Sequence, residues 1–457
     1  MRSYVDNEGG SPYHAAMISK ETIRVALVGC GTVGGATAEL LLRDREIIAR
    51  RSGVQVEVAA IVDRDFDRAR ALNLPEELYT SDLDAVLADP AVDLVVELVG
   101  GLEFARTLII RALDAGKHVV TANKALLAHH GRELFGHARA RGLTIGFEAS
   151  CGGGIPVIRA IIDGLLANEI DAIYGVVNGT CNYILTEMIR EGKSYQESLA
   201  EAQRIGLAEA DPSLDVEGQD SAHKIAIMSA LAFGTNVDFA AIPVEGVNNL
   251  DSRDVAFGQD LGYVVKLLAL AQRVETGVLI RVHPAFISRE HPLAWVSGPF
   301  NAVSIYGHTV GHTLYYGRGA GGEATASAVA SDVIAIALGT MPALFSHTGY
   351  WPDLNTGDPQ LPPGEAVSRF YLRIMVADRP GVLARIGRIL ADHDISVASL
   401  RQNEQALGSE RIPLVITTHT CQEQQLRTAV TLIDGLDTTG EATVVLPIIE
   451  EHPERIG

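Results

Sequence analysis

The chain has 457 residues, too many for one hydrophobic core and suited to two or three domains. A net charge of -20 argues against nucleic acid or an anionic membrane surface as the main partner, because both favour a basic face. The apolar runs are far shorter than a bilayer span, and no apolar signal-peptide core begins the chain. We therefore expect a cytoplasmic protein that acts on a small molecule, with residues 1–22 as a flexible N-terminal tail.

The first predicted element is a buried strand, IRVALV (23–28), which ends at the turn GCGTVG and is followed by a helical pattern. A glycine-rich turn in this context leaves backbone N–H groups free at a helix N-terminus, where a pyrophosphate can approach without obstruction. The pattern predicts cofactor contacts at Gly29, Gly31, Thr32, Val33 and Gly34. A tight turn that binds no ligand is the alternative.

Short apolar strands alternate with helical patterns as far as residue 150, which predicts a doubly wound parallel sheet of the Rossmann type. Ligands of such sheets collect at the carboxyl ends of the strands, where Gly100, Lys124 and Glu148 fall. Asp63 and Arg64 follow the second strand, where the cofactor ribose is read. The carboxylate favours NAD and the arginine favours NADP, so the preference stays open.

The later pattern predicts two further domains. Glycine-rich loops, helices and strand-like segments indicate an inserted α+β substrate domain over 151–324, after which a helix at about 325–345 returns to the nucleotide-binding domain of 23–150. A proline- and glycine-rich stretch over 346–368 is typical of a linker. The last segment, 369–457, has the order βαββαβ of a separate module.

An acidic run, GLAEADPSLDVEGQDSAHK (206–224), contains five carboxylates and ends on a lysine. A solvated acidic surface is the simplest interpretation of such a run. Asp220 and Lys224 stand four residues apart on a helix that we expect to begin near Val216, so they share a face. If exposed, they would form an ordinary surface ion pair.

Several long motifs carry a resemblance to one family. They are GCGTVGGA, ELVGG, TANKALLA, FEASCGGGIP, VNGTCNYIL, EADPSLDVEGQDSAHK, RVHP and YGRGAGGEATASAV, in that order. Across nearly all of residues 23–457 the chain resembles homoserine dehydrogenases that end in an ACT domain. The resemblance implies reversible NAD(P)-linked interconversion of aspartate semialdehyde and homoserine, on the route to threonine, methionine and isoleucine. It slightly favours NADP over NAD.

The resemblance also implies roles for the charged residues. Lys224 would protonate the nascent alkoxide, and Asp220 would position this lysine and the substrate. Glu209 would meet the substrate's amino group, while Lys124 would contact both cofactor and substrate. The other three carboxylates of the acidic run could still be solvated charges.

Further implications concern a cation, assembly and regulation. The resemblance implies a monovalent cation, of the sodium type, held by Glu148 and by the backbone carbonyls of Cys151, Gly153 and Ile155; an ion-free loop is the alternative. A homodimer or homotetramer is implied. L-Threonine is the expected inhibitor, bound where the turn ADRPG (377–381) leaves free N–H groups at a helix N-terminus.

Two other functions stay open. An acylating aspartate semialdehyde dehydrogenase would use Cys151 as its nucleophile, but SCGGGIP offers no evident base or cation to activate the thiol. A non-catalytic amino-acid sensor would keep only a vestigial nucleotide fold.

Cys30 and Cys181 also interrupt glycine-rich motifs, where we expect small hydrophobic side chains rather than catalytic thiols. His308 and His312 have no assigned role.

Overall fold

The computed structural model describes residues 20–354, 356–402 and 411–452; most of the predicted N-terminal tail, residues 1–19, lies outside them. The strands are β1 (Thr22–Val28), β2 (Gln55–Val62), β3 (Tyr79–Thr80), β4 (Leu94–Glu97), β5 (His118–Thr121), β6 (Ile145–Gly146), β7 (Ile170–Val176), β8 (Tyr263–Val274), β9 (Gly277–Ser288), β10 (Phe300–Gly307), β11 (Gly311–Arg318), β12 (Val367–Ala377), β13 (Val397–Gln402), β14 (Arg411–Thr418), β15 (Cys421–Gln422) and β16 (Val444–Ile449).

The helices are α1 (Thr32–Arg43), α2 (Arg45–Ser52), α3 (Asp67–Ala71), α4 (Leu83–Ala88), α5 (Glu103–Asp114), α6 (Lys124–Ala140), α7 (Val157–Arg159), α8 (Gly179–Glu191), α9 (Tyr195–Arg204), α10 (Ser213–Val216), α11 (Gln219–Phe233), α12 (Ser252–Asp260), α13 (Gly322–Ala337), α14 (Thr340–His347), α15 (Val382–Asp392) and α16 (Glu423–Asp434). The chain divides into two compact units, residues 1–150 with 321–354 and residues 151–320 with 355–457.

The first unit is built on a six-stranded parallel sheet in the order β3-β2-β1-β4-β5-β6. Strand order reverses between β1 and β4, and ligands of such sheets bind outside the carboxyl ends of the strands at this reversal. Helix α13 packs against α1. Further along, Trp351 is buried and makes tilted or edge-to-face ring contacts with Phe135, Phe147 and Phe345, so the first part of the predicted linker packs on this unit.

The second unit contains a mixed sheet of ten strands, whose main path is β11-β10-β7-β8-β9-β16-β12-β14-β13. Strands β7 to β11 belong to the segment predicted as the substrate domain, and helix α11 packs against β8 and β9. The C-terminal module has the expected βαββαβ order, with its own core around Phe370, Ile386 and Leu426. This confirms the predicted fold class, whereas the predicted domain limits stay a prediction.

The C-terminal module shares its sheet with the substrate segment, because β16 pairs in parallel with β9 at Ile448–Phe286 and Ile449–Ile287. A buried ion pair adds to this contact: Arg373 Nε donates to Asp254 Oδ1 at 2.6 Å and Nη2 donates to Oδ2 at 2.9 Å. The sequence pattern, which indicates a self-contained module, does not reveal this continuity.

The helix expected to begin near Val216 is divided, because α10 ends there and Gly218, at φ +88°, separates it from α11. Within the described parts of the chain, no single helix is long and apolar enough to cross a membrane. The pair α13 and α14 reaches that length and composition only together, across a bend of 77°.

Candidate active site

In the glycine turn after β1, a side chain at either of two glycines would clash with neighbouring backbone atoms. Gly29 has φ +98°, and a Cβ there would lie 2.7 Å from the carbonyl carbon of Leu98. A Cβ on Gly34 would lie 1.9 Å from the Gly29 oxygen. Gly31 is the N-cap of α1, and a Cβ there would meet nothing within 4 Å. The following N–H groups of Thr32 and Val33 lie in the first turn of the helix, where no intrahelical acceptor exists. This geometry suits a diphosphate.

Asp63 connects the end of β2 to the glycine turn. Its Oδ2 accepts a hydrogen bond from the Cys30 backbone N–H at 2.6 Å, and its Oδ1 accepts from the Arg64 N–H at 2.6 Å. A cavity of about 610 Å³ opens here, lined by Asp63, Arg64 and Gly100 among others. The residues expected to read the ribose therefore face one cavity at the strand-order reversal.

Glu97 organises the loops that follow β4 and β5, although the sequence does not single it out. It is fully buried, and its Oε1 accepts from the backbone N–H groups of Val99 and Gly100 at 2.9 and 3.0 Å. Its Oε2 accepts from the Thr121 hydroxyl at 2.6 Å. Only its place at the end of a sheet strand could have indicated this role. The network fixes the loop that immediately precedes Lys124, the half-buried first residue of α6.

In the second unit, Lys224 and Asp220 form a buried pair on α11. The Lys224 ammonium donates to Asp220 Oδ2 at 2.6 Å and to the Val177 carbonyl at 2.6 Å. Lys224 is 7% exposed and Asp220 is 4% exposed, so this is not the surface ion pair that spacing alone allows. A lysine ammonium has three donors, and these bonds use two of them within the described part of the chain.

Asn178 extends this cluster and was missed as a site residue. Its amide nitrogen donates to Asp220 Oδ2 at 2.9 Å and to Asp215 Oδ1 at 2.7 Å, while its Oδ1 caps α8 by accepting from the Cys181 N–H. The helix start in VNGTCNYI was the available signal, since asparagine is a preferred N-cap. Asp215 is thus part of the cluster rather than a solvated charge.

The other carboxylates of the acidic run lie at the surface. Glu209 is exposed on the segment between α9 and α10, and its backbone carbonyl accepts from the Gln203 amide. Asp211 is exposed and accepts from the backbone and the hydroxyl of Ser213, which lowers the pKa of its carboxyl. Glu217 is also exposed. Of the five carboxylates, the structure gathers Asp220 and Asp215 around Lys224.

The stretch expected to hold a cation begins in the first unit and continues in the second. Glu148 is buried, and its backbone N–H donates to Asp332 Oδ2 at 2.7 Å. Gly153 has φ +58°, and the Ile155 N–H donates back to the Gly152 carbonyl at 3.0 Å, so this segment is a tight turn. Within the described residues, no three His, Cys, Asp or Glu side chains form a metal-binding group. Any cation here would depend mainly on backbone carbonyls.

The three cysteines in glycine-rich motifs are buried. Burial and nearby Asp63 raise the pKa of Cys30, and burial with Asp215 and Asp220 raises that of Cys181. The Cys151 thiol donates to the Lys224 carbonyl at 3.7 Å. None of these observations favours a thiolate.

The two unassigned histidines have structural contacts. His308 Nδ1 accepts from the Glu169 backbone N–H at 2.9 Å. His312 stacks on Tyr306 and bonds to the Ser304 hydroxyl at 2.9 Å. Both therefore support the strand pair β10–β11 and its surroundings.

Comparison with known proteins decides the family. Residues 29–148 match the family model described as homoserine dehydrogenase, NAD binding domain, residues 156–334 match homoserine dehydrogenase, and residues 370–437 match the ACT domain. A homoserine dehydrogenase of Pseudomonas aeruginosa is 43% identical over 418 residues, which cover 91% of this chain and 96% of that protein. The chain belongs to the homoserine dehydrogenase family.

Solved homoserine dehydrogenases have the same fold. The enzyme from Thiobacillus denitrificans is 42% identical, with a TM-score of 0.87, and the match covers 94% of this chain and 98% of that enzyme's chain. A hyperthermophilic archaeal homoserine dehydrogenase, solved in complex with NADPH, is 29% identical with a TM-score of 0.56 and covers 69% of this chain and 97% of its own. This chain is accordingly an oxidoreductase with an NAD(P)-binding domain, a homoserine dehydrogenase domain and an ACT domain.

Proposed function

We propose that the chain catalyses the reversible NAD(P)-dependent reduction of L-aspartate 4-semialdehyde to L-homoserine, within threonine, methionine and isoleucine biosynthesis. The observation that carries this proposal is the buried Lys224–Asp220 pair, in a chain of this family. A buried ammonium with a donor left over after its protein contacts is suited to proton transfer.

Lys224 is the proposed proton donor. When bound, the reduced nicotinamide supplies a hydride to the aldehyde carbon. The remaining N–H of Lys224 then donates its proton to the developing alkoxide, and in the reverse direction the neutral amine accepts it. Asp220 and the Val177 carbonyl fix the Lys224 amine at 2.6 Å each, so Asp220 acts as a positioning group for the lysine and also contacts the substrate in this proposal.

The remaining roles concern substrate and cofactor. Glu209 is proposed to bind the substrate ammonium, which its exposed, ionisable side chain permits. Lys124 is proposed to contact cofactor and substrate from the start of α6. The glycine turn and the cavity at Asp63 and Arg64 fit a dinucleotide. Because Arg64 lines that cavity and an archaeal relative was solved with NADPH, we favour NADP over NAD.

We also propose a monovalent cation of the sodium type at Glu148 and the carbonyls of Cys151, Gly153 and Ile155. A buried carboxylate and the backbone carbonyls of a tight turn are the kinds of oxygen donor that hard cations prefer. The Ile155 carbonyl already accepts from the Val157 N–H at 2.8 Å, but a carbonyl oxygen has a second lone pair. Sodium chloride should raise the melting temperature relative to choline chloride, and Glu148→Gln should abolish that difference.

Regulation by L-threonine through the ACT domain is proposed as well. Gly381, at φ +90°, is the N-cap of α15 and leaves the first N–H groups of that helix available to a carboxylate. Deleting residues 366–457 is a poor test, since it would uncover the edge of β9 and leave buried Asp254 without Arg373. Variants of the intact chain are preferable.

For assembly we propose a homodimer or homotetramer of a cytoplasmic enzyme. Leu314 and Tyr316 are exposed apolar side chains on β11, at the edge of the mixed sheet, which supports a self-association surface. Sedimentation velocity tests this; a purely monomeric species at assay concentration contradicts it.

The experiment for the proposed activity is oxidation of L-homoserine by the purified full chain, followed by the absorbance of reduced nicotinamide with NAD and with NADP. Turnover supports a dehydrogenase and excludes a non-catalytic sensor. Absence of turnover with both cofactors, in folded protein, contradicts the proposal.

A further inference from the structure

A second cavity, of about 190 Å³, lies within the second unit between the substrate segment and the ACT domain. One wall is β9, which contributes Arg281 and His283. The opposite wall is ACT helix α16, which contributes Glu423 and Arg427. Glu245 completes the polar lining. Neither the Lys224 cluster nor Gly381 is part of this lining.

Two buried side chains in the lining carry polar atoms without a partner among the described residues. Arg281 is 8% exposed, and its Nη1 donates to Glu423 Oε2 at 2.7 Å, but its Nε has no acceptor. His283 is 6% exposed, and its Nδ1 contacts the Pro284 carbonyl at 3.2 Å, but its Nε2 has no partner. An unmet buried polar group costs about 1–3 kcal/mol, so two such atoms in the lining of one cavity favour a polar ligand there.

The two atoms differ in the group they require. Arg281 Nε is a donor and needs an acceptor. Burial and the charge of Arg281 hold the pKa of His283 well below its usual range, so the ring is neutral. Since Nδ1 must carry the proton to bond the Pro284 carbonyl, Nε2 is an acceptor and needs a donor. A molecule that satisfies both must carry an acceptor and a donor.

The charges of the cavity favour an anionic acceptor. Glu423 is shared by two arginines, because its Oε1 also accepts from Arg427 Nη2 at 3.1 Å. Glu245 is the other acid in the lining, and burial raises its pKa. The unpartnered Nε of Arg281 belongs to a guanidinium group, and a carboxylate is the strongest acceptor for such a donor.

We propose that this cavity binds a small carboxylate that also carries an amino or hydroxyl donor, the chemical class that includes α-amino acids. Its carboxylate meets Arg281 and Arg427, and its donor group meets His283 Nε2 and Glu245. The ligand thereby joins β9 to α16. Helix α11, which carries Lys224, packs against the same strand. The site does not depend on threonine binding at Gly381.

Isothermal titration calorimetry of the full chain with L-alanine, L-threonine and propionate tests the proposal. We expect saturable binding of at least one of the two amino acids. Propionate, which lacks the donor group, should bind about tenfold more weakly or worse, the effect of about 1.4 kcal/mol from one lost hydrogen bond. No saturable binding of either amino acid, or equal binding of propionate, overturns the proposal.

Three variants localise the binding. Glu245→Gln and Arg427→Gln keep the shape and remove a charge, and Ala366→Leu fills the cavity, whose lining includes Ala366. Each should weaken binding by about tenfold or more. The control is Arg388→Gln, which removes an arginine from an exposed ion pair with Asp392 on α15, outside the cavity lining, and should leave binding unchanged. Undiminished binding in folded Glu245→Gln and Ala366→Leu overturns the assignment. Calorimetry needs no turnover, so its result is independent of the proposed activity.

Discussion

Replacing Arg373 with methionine should strongly destabilise the second unit. Arg373 is 3% exposed, and its two bonds to Asp254 are the bidentate part of the ACT contact. Asp254 is fully buried and accepts a third hydrogen bond from the Tyr371 hydroxyl at 2.8 Å. Without Arg373 it would keep only that hydroxyl as a donor. Removing one partner of a buried ion pair costs about 3–5 kcal/mol. We expect Arg373→Met to lower the free energy of unfolding, measured by urea denaturation, by that amount.

The double variant Arg373→Met with Asp254→Leu makes the test specific. It removes both charges, and replacing a whole buried pair by apolar side chains is often neutral, so most of the lost stability should return. Arg385→Met is the control, because Arg385 pairs with Asp437 at the exposed surface of the same module. A loss under about 1 kcal/mol for Arg373→Met, or a double variant whose loss is the sum of the two single losses, would show that Arg373 and Asp254 are not coupled.

Three further predictions follow from the nucleotide cavity, a buried histidine and the ACT turn. Arg64→Ala should raise KM for NADP by about tenfold and leave KM for NAD nearly unchanged; equal effects on both contradict the assigned role. Burial lowers the pKa of His118 to about 4 from 6.5, so the unfolded chain binds a proton first as pH falls, and stability is lost progressively below about pH 6.5. His118→Asn should reduce the loss of unfolding free energy between about pH 7 and pH 4 by about 3 kcal/mol, and an unchanged pH dependence would count against this. Gly381→Ala should weaken threonine inhibition by about tenfold, because alanine disfavours φ +90°, whereas Gly387→Ala within the same helix should not; equal inhibition of both variants contradicts a site at Gly381.

Local sequence patterns predicted much of the fold and part of the site. The glycine turn was predictable because a Cβ at Gly29 or Gly34 would collide with the backbone, so this conformation requires glycine at those positions of the motif. The Asp220–Lys224 contact was predictable because both lie one helical turn apart on α11. Burial of that pair was not predictable, because a spacing of four residues places both side chains on one helix face but does not tell whether that face is exposed or buried.

Contacts between distant segments escaped the sequence. Asn178 reaches Asp215 and Asp220 from the start of another helix, and no periodicity links those positions. The pairing of β16 with β9 joins strands more than 150 residues apart, as their bounds show. Arg281 and His283 alternate on β9 as ordinary strand residues. Only the folded chain shows that both line a cavity.

We propose that Lys224, and not a cysteine thiolate, carries the chemistry. The most direct measurement compares kcat for L-homoserine oxidation in the wild type, Lys224→Ala and Cys151→Ser, with cofactor binding measured separately. We predict that Lys224→Ala lowers kcat by on the order of a hundredfold or more with cofactor binding nearly intact, and that Cys151→Ser keeps most of the activity. Loss of activity in Cys151→Ser together with normal turnover in Lys224→Ala would exclude Lys224 as the proton donor.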